Sequence, residues 1–329
     1  MDTRYLIAGV IILEKIKMPP TLDLSELDEM LGRLFMTGIP GTELDLNTEN
    51  LIQRYFLGGV ILFSKNISDP LQLATLCKDL QKASMKYHGT PLFLAIDQEG
   101  GRVARLKPPF TTFPGNAAIG EDQNPIARAK KFAQVTAKEM GIVGLNMNMA
   151  PVLDVRRGRT EKHLIGRTFG EDPEKVSMLG RVVLKELQEN GVMAVAKHFP
   201  GLGRSPLDPH HELPVIPLKA DEMEQIDLLP FKVAIAEDVS AVMTSHAIYP
   251  AIEPEIPATL SYKILTDLLR ESLGFDGLII TDDLEMGAIK KKWGVARGAA
   301  ESFKAGADIL LICEEQKYGS SGFCVLLSD

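Results

Sequence analysis

Residues 277–284 read GLIITDDL: a glycine, the apolar run Leu278–Ile280, a threonine, and then two adjacent carboxylates, Asp282 and Asp283. A strand that is apolar on consecutive residues, and not only on alternate ones, is covered on both faces, as in a parallel sheet flanked by helices. Seven other segments share this character: RLFMTGI (33–39), GGVILFS (58–64), PLFLAID (91–97), LNMNMAPVLDV (145–155), VMAVAKHFP (192–200), SAVMTSHAIYP (240–250) and ADILLIC (307–313). Helix-like stretches lie between them. Residues 125–140 stop at Gly141, 173–190 start at Pro173 and stop at Gly191, and 262–273 stop at Gly274, the punctuation expected of helix ends. An open doubly wound sheet is the alternative, but eight runs over about 280 residues match the closed barrel, whose usual size is roughly 250. The expected fold is α/β, a single (β/α)8 TIM-like barrel.

A chain of 329 residues with 45% hydrophobic content is long enough for one large core. We expect an N-terminal extension over residues 1–30, the barrel over 31–313, and a short tail over 314–329. That tail, EEQKYGSSGFCVLLSD, has 16 residues and no helical period, so the last barrel helix is expected to be missing or shortened. Lys and Arg total 36 against 44 Asp and Glu, a net charge of −8. With no basic run to track a phosphate backbone, nucleic acid is excluded as a partner. Cys77, Cys313 and Cys324 are odd in number and far apart, which argues against a disulfide framework or a structural zinc site. The run YLIAGVIIL (5–13) is too short to span a bilayer. Asp2 ahead of it and EKIKMPP behind it make a poor signal peptide. A cytoplasmic location is expected, the apolar run leaving export open.

In such barrels the chemistry sits at the C-terminal ends of the strands and in the loops that follow. Asp97 ends the third run, Asp154 the fourth, Lys197 and His198 the fifth, Ser245 and His246 the sixth, and Asp282 and Asp283 the seventh. Neighbouring strand residues point to opposite sides, so one of Asp282 and Asp283 faces the axis. It is either functional, or the pair does no more than cap a helix and form an ion pair. In FLAIDQEGGRVARL (93–106), Asp97 and Glu99 beside Arg102 and Arg105 fit either a grip on ligand hydroxyls or a buried ion network holding the barrel mouth. The loop AVAKHFPGLGRSPLDPHHELPVI (194–216) carries His198, His210 and His211 among glycines and prolines. There Asp208 and His210, two apart, form an acid–base dyad or leave a solvent-facing histidine. His211 is a rival or a spectator, and His246 lines the pocket floor or is a satisfied core histidine.

Taken in order, IDQEGG with Val103 and Arg105-Leu106, RTFGEDP (167–173), KHFPGLG (197–203) with Asp208-Pro209-His210, VMTSHAIYP (242–250) and LIITDDLEMGAI (278–289) resemble glycoside hydrolase family 3. They are most similar to its β-N-acetylhexosaminidase branch, which acts in peptidoglycan recycling. The similarity runs from about Leu31 to Cys313. It implies that Asp282 is the nucleophile, that Asp208 and His210 are the acid/base dyad, and that Asp97, Arg105, Arg167, Lys197 and His198 hold an N-acetylglucosamine ring. Leu202 stands where many members have histidine, a position with no assigned chemical role.

The implied activity is retaining hydrolysis of terminal β-linked N-acetylglucosamine from cell-wall or chitin-type fragments, through a covalent glycosyl-aspartate and with no cofactor or metal. Alternatives are a phosphorylase of the same branch, a β-glucosidase, and a sugar-binding barrel with weakened activity. A barrel metallohydrolase using His198, His210, His211 and His246 with Asp282 lacks the H-x-H on the first strand that starts such a site.

Overall fold

A computed structural model describes residues 30–313 apart from Arg159. Each of the eight apolar runs contains one strand of a single parallel sheet. These are β1 (Phe35–Gly38), β2 (Gly59–Leu62), β3 (Phe93–Ile96), β6 (Met147–Asn148), β7 (Met193–Phe199), β8 (Ala241–Thr244), β9 (Leu278–Ile280) and β10 (Leu310–Ile312). Two further strands, β4 (Gln98–Gly100) and β5 (Val103–Ala104), form an antiparallel hairpin directly after β3. Barrel neighbours follow chain order. β1 pairs with β10 at Phe35 and Leu310, and a parallel bridge between Ile280 and Ile309 links the β9 end to the β10 end, so the sheet closes on itself.

The strands are apolar on consecutive residues because both of their faces are buried. Ile61 packs inside the barrel with Met36, Ala95, Met147, Val195, Met243, Ile280 and Leu311. Its neighbours Val60 and Leu62 join the outer cluster that faces the helices. Unbranched Met36, Met147, Met149 and Met243 fill much of the interior, where an adaptable side chain suits the tapering space.

The surrounding helices are α1 (Leu46–Tyr55), α2 (Pro70–His88), α3 (Pro125–Val143), α4 (Pro173–Glu189), α5 (Leu229–Ala236), α6 (Lys263–Ser272, with wide π-type turns), α7 (Gly287–Lys290) and α8 (Val295–Ala305). Asp45, Asp69, Asn124 and Asp172 cap α1 to α4 by accepting from first-turn amides, and proline opens α2, α3 and α4, which supplies the acceptors those unpaired N–H groups need. One boundary differs from the sequence expectation: α3 runs past Gly141 and ends at Gly144, whose φ is +89°. The left-handed cap, not the first glycine met, stops the helix.

No described helix is long and apolar enough to cross a membrane. The apolar run at 5–13 and the tail 314–329, with the expected loss of the last helix, lie outside the described residues.

Candidate active site

At the mouth of the barrel, the ends of β3 and β7 face one another and their charges interlock. Lys197 Nζ donates to Asp97 Oδ1 at 2.9 Å and reaches Glu99 Oε1 at 2.7 Å. Arg167 lays its guanidinium along Glu99, with Nε to Oε2 and Nη2 to Oε1 both at 2.8 Å. Arg105 Nη2 donates to Asp97 Oδ2 at 3.2 Å. Four of the five expected sugar-binding residues therefore meet in one network. Its hub is Glu99, 1% exposed, which the sequence placed beside Asp97 without a role of its own. Burial pushes the carboxyls of Asp97 and Glu99 up, but Lys197 with Arg105, and Arg167 with Lys197, outweigh it, and both stay below the usual carboxylate range. Burial likewise lowers Lys197 and Arg167, and the facing carboxylates raise both above their ordinary values. Asp97, Glu99, Lys197 and Arg167 are all charged at neutral pH. Arg102 is exposed and turns away, its guanidinium donating to the backbone carbonyl of His163.

His198 belongs to a second pair. Asp154 is fully buried; its Oδ2 accepts from His198 Nδ1 at 2.7 Å, and its Oδ1 accepts from the backbone amides of His198 and Leu202. Burial raises the Asp154 carboxyl, yet His198 and these N–H groups bring it below the ordinary value. An ionised carboxylate only accepts, so Nδ1 of His198 carries a proton and Nε2 is the nitrogen left for a ligand.

The two carboxylates after β9 have opposite environments. Burial raises Asp282, but the imidazoles of His246 and His198 and the Asp283 amide hold it below the ordinary range, and His210 acts in the same direction. Asp283 N–H donates to Asp282 Oδ1 at 2.8 Å. Asp283 itself is pushed up to about 6 by burial, despite the Glu285 amide, with Glu285 and Asp282 adding repulsion. Its Oδ1 accepts from the amides of Glu285 and Cys313. Thus Asp282 is the more acidic member and faces the histidines, and Asp283 fastens the turn after the strand. His246 is buried and fully engaged, Nδ1 against Thr259 Oγ1 at 2.7 Å and Nε2 donating to the Asp283 carbonyl at 2.9 Å, and burial holds it below its usual pKa. Its ring is thus a satisfied one that also faces Asp282.

The loop after β7 carries Asp208 and His210. It is tied down along its length: Tyr249 Oη donates to the Gly201 carbonyl, Arg204 donates to Asp227 and Glu222, and Ser205 Oγ donates to the Leu207 carbonyl. Gly203 is required, since a Cβ there would lie 2.1 Å from the Val155 carbonyl oxygen. At the far end, Gly287 and Ala288 of α7 donate to the carbonyls of His210 and Pro209 at 3.0 and 3.1 Å. The loop therefore rests on the helix that follows Asp282. Asp208 Oδ1 accepts from His210 N at 3.0 Å and from His210 Nδ1 at 2.7 Å. Burial raises Asp208, but the His210 amide and ring hold it below the ordinary value. The His210 side chain is 59% exposed, and its Nε2 remains available for chemistry. His211 is exposed and engages α7's flank through its carbonyl, which accepts from Lys291 Nζ at 2.8 Å.

One group was not anticipated from the sequence: Glu161 and His163, from the loop after β6, lie against Asp208. Oxygens of Glu161 and Asp208 and a ring nitrogen of His163 fall within 4.8 Å of one another, a spacing that would also suit a divalent cation. A hydrogen bond from His163 Nδ1 to Glu161 Oε2 at 2.8 Å accounts for the arrangement, and a cation there would have to displace its proton.

Residues 26–322 match the family described as "Glycosyl hydrolase family 3 N terminal domain". A β-hexosaminidase A of Pseudoalteromonas piscicida is 38% identical over 288 residues, covering 82% of this chain and 48% of that protein. A glycoside hydrolase family 3 β-N-acetylglucosaminidase of Paenibacillus sp. str. FPU-7 superposes with a TM-score of 0.88 at 38% identity, over 94% of this chain and 58% of the other. The chain thus spans about half the length of these two relatives. NagZ of Neisseria gonorrhoeae, solved with N-trifluoroacetyl-D-glucosamine, gives a TM-score of 0.81 at 31% identity, over 88% of this chain and 84% of that one. On this match and these likenesses, the chain belongs to glycosyl hydrolase family 3.

Proposed function

We propose that this glycoside hydrolase is a retaining exo-β-N-acetylglucosaminidase. The observation that carries the reading is the pairing of an ionised Asp282 with a His210 whose Nδ1 is held at 2.7 Å by Asp208 on a loop resting upon α7. Relatives named β-hexosaminidase and a NagZ solved with an N-acylated glucosamine support the sugar.

In this reading a terminal N-acetylglucosamine enters the barrel mouth. Asp97, Arg105, Arg167, Lys197 and His198 hold its hydroxyls and acyl group, the Asp154 pair fixing the face that His198 presents. Their mutual ion pairs set the geometry before substrate arrives, which lowers the ordering cost of binding. Asp282 attacks the anomeric carbon as His210 Nε2–H protonates the departing oxygen, giving a glycosyl-aspartate. Neutral His210 then takes a proton from water, which displaces Asp282 and releases the sugar. Asp208 orients the ring through Nδ1 in both half-reactions. No step calls for a metal or a cofactor.

Cell-wall fragments are the substrate class we favour, with chitin-type oligomers next. The buried free thiols of Cys77 and Cys313 support a reducing, cytoplasmic setting. Residues 31–313 serve as the single barrel domain.

Turnover of chromogenic N-acetylglucosaminide, glucoside and xyloside, with and without phosphate, tests the reading. The N-acetylglucosaminide should be preferred, phosphate should leave the product unchanged, and Asp282→Ala should abolish release. Sugar 1-phosphate as product would make the enzyme a phosphorylase, and full activity of Asp282→Ala would overturn the site.

A further inference from the structure

The acid/base dyad uses one oxygen of Asp208 and leaves the other pointing away from His210. Oδ1 takes both the amide and Nδ1 of His210. Oδ2 lies 4.0 Å from His163 Nδ1, the same nitrogen that bonds Glu161 Oε2 at 2.8 Å. The His163 ring stands edge-on to the His210 ring, with centroids 6.3 Å apart and planes at 83°. A single imidazole nitrogen is therefore hydrogen-bonded to one carboxylate and within electrostatic reach of the other, on a ring that packs perpendicular to that of the dyad histidine.

The loop that carries His163 is stitched to the dyad loop. Glu161 N–H donates to the Ser205 carbonyl at 2.9 Å and Thr160 Oγ1 donates to the Gly203 carbonyl at 2.7 Å. On its other side it meets the sugar-binding network, where Arg167 N–H donates to the Leu164 carbonyl at 2.9 Å. Glu161 also accepts from the His163 amide, which fixes the short turn. With burial lowering His163 and Glu161 ionised, the imidazole is neutral and its proton is on Nδ1, directed at Glu161 Oε2 with Asp208 Oδ2 4.0 Å from the same nitrogen.

We infer that His163, held by Glu161, is a positioning residue for the acid/base dyad: it fixes the Asp208 carboxylate so that Asp208 presents His210 to the leaving group. Without it, the carboxylates of Glu161 and Asp208 face each other across a gap and repel, and Asp208 Oδ2 loses the imidazole beside it. The inference rests on the dyad assignment proposed above. His163 touches no substrate in this role and acts through Asp208.

The dependence of kcat/KM on the leaving group separates this role from a purely structural one. A 2,4-dinitrophenyl glycoside leaves without a proton, whereas a phenyl glycoside needs the acid, and general acids contribute roughly 10²- to 10⁴-fold. His163→Ala should lower kcat/KM on phenyl N-acetylglucosaminide about 10-fold or more while changing the dinitrophenyl substrate less than about 3-fold. His163→Asn, whose Nδ2–H occupies the place of imidazole Nδ1–H, should restore most of the loss. If the alanine variant does not fold, Glu161→Gln and His163→Asn are compared by the same ratio, the glutamine variant showing the phenyl-selective loss. Equal losses on both substrates, or none on either, overturn the inference. His210→Ala is the control: a leaving-group-independent loss there would instead overturn the dyad assignment itself.

Discussion

Gly287 donates its amide to the carbonyl of His210 at 3.0 Å, so the helix that follows the candidate nucleophile is also the seat of the candidate acid/base. The two halves of the chemistry come from different barrel strands, and this contact sets their spacing. A Cβ on residue 287 would lie 2.6 Å from the His211 carbonyl oxygen and 2.8 Å from that of His210.

Gly287→Ala should therefore push the 208–211 loop off its seat without touching the sugar-binding network. We expect kcat/KM on a phenyl glycoside to fall about 10-fold or more, since a misplaced catalytic group by ~1 Å costs up to 10²-fold. The inhibition constant of free N-acetylglucosamine should stay within about 2-fold, a limit well inside the cost of one hydrogen bond. Steady-state kinetics with competitive inhibition measures both, and a weakened inhibitor with unchanged kcat would contradict the assignment.

Glu99→Gln should damage binding and stability together. A carboxamide there still accepts a hydrogen bond, but its NH2 meets a guanidinium or ammonium donor, and the two cations at Lys197 and Arg167 are left with Asp97 and, for Arg167, the charge of Asp154. Breaking a buried pair by removing one partner costs about 3–5 kcal/mol, so Tm should drop by at least about 5 °C and KM should rise. A calorimetric scan together with KM for the N-acetylglucosaminide tests this. An unchanged Tm would mean the network contributes little net stability.

The barrel was legible because strand burial on both faces leaves a mark on consecutive residues: Leu278–Ile280 and Leu310–Ile312 are apolar throughout, and nothing tertiary is needed to read them. Candidate site residues at strand ends, such as Asp97 and Asp282, followed from that architecture. Through-space pairings were not legible. Glu99 is two residues from Asp97 and lies on the β4 hairpin, but its burial under Arg167, 68 positions away, depends on how two loops meet. Glu161 caps and His163 sits in a single short turn of helix, Lys162–Ile165, too short to leave a periodicity, and its place beside Asp208 depends on the approach of the 203–208 loop. Strand alternation alone left Asp282 and Asp283 undivided, since both end the same strand and differ only in what surrounds them; only the resemblance of the T-D-D triplet pointed to Asp282.

That difference yields a pH-dependent prediction. Burial, with Glu285 and Asp282 adding to it, raises Asp283 to about 6, above its unfolded value of about 3.9. A carboxyl with a raised folded pKa binds its proton more tightly in the native state. Its stabilising contribution is complete below about pH 4 and is lost as pH rises through about 6, leaving a cost of at most about 3 kcal/mol at neutral pH. Asp283→Asn keeps an oxygen to accept from the Glu285 and Cys313 amides and never ionises. Its Tm should therefore exceed that of the natural chain at pH 8, and the gap should close as pH falls from 6 toward 4. Melting curves of both chains across pH 4–8 test the sign. A gap that widens toward acid would mean that Asp283 is stabilised as the anion, and the division of labour between the two aspartates would have to be reversed.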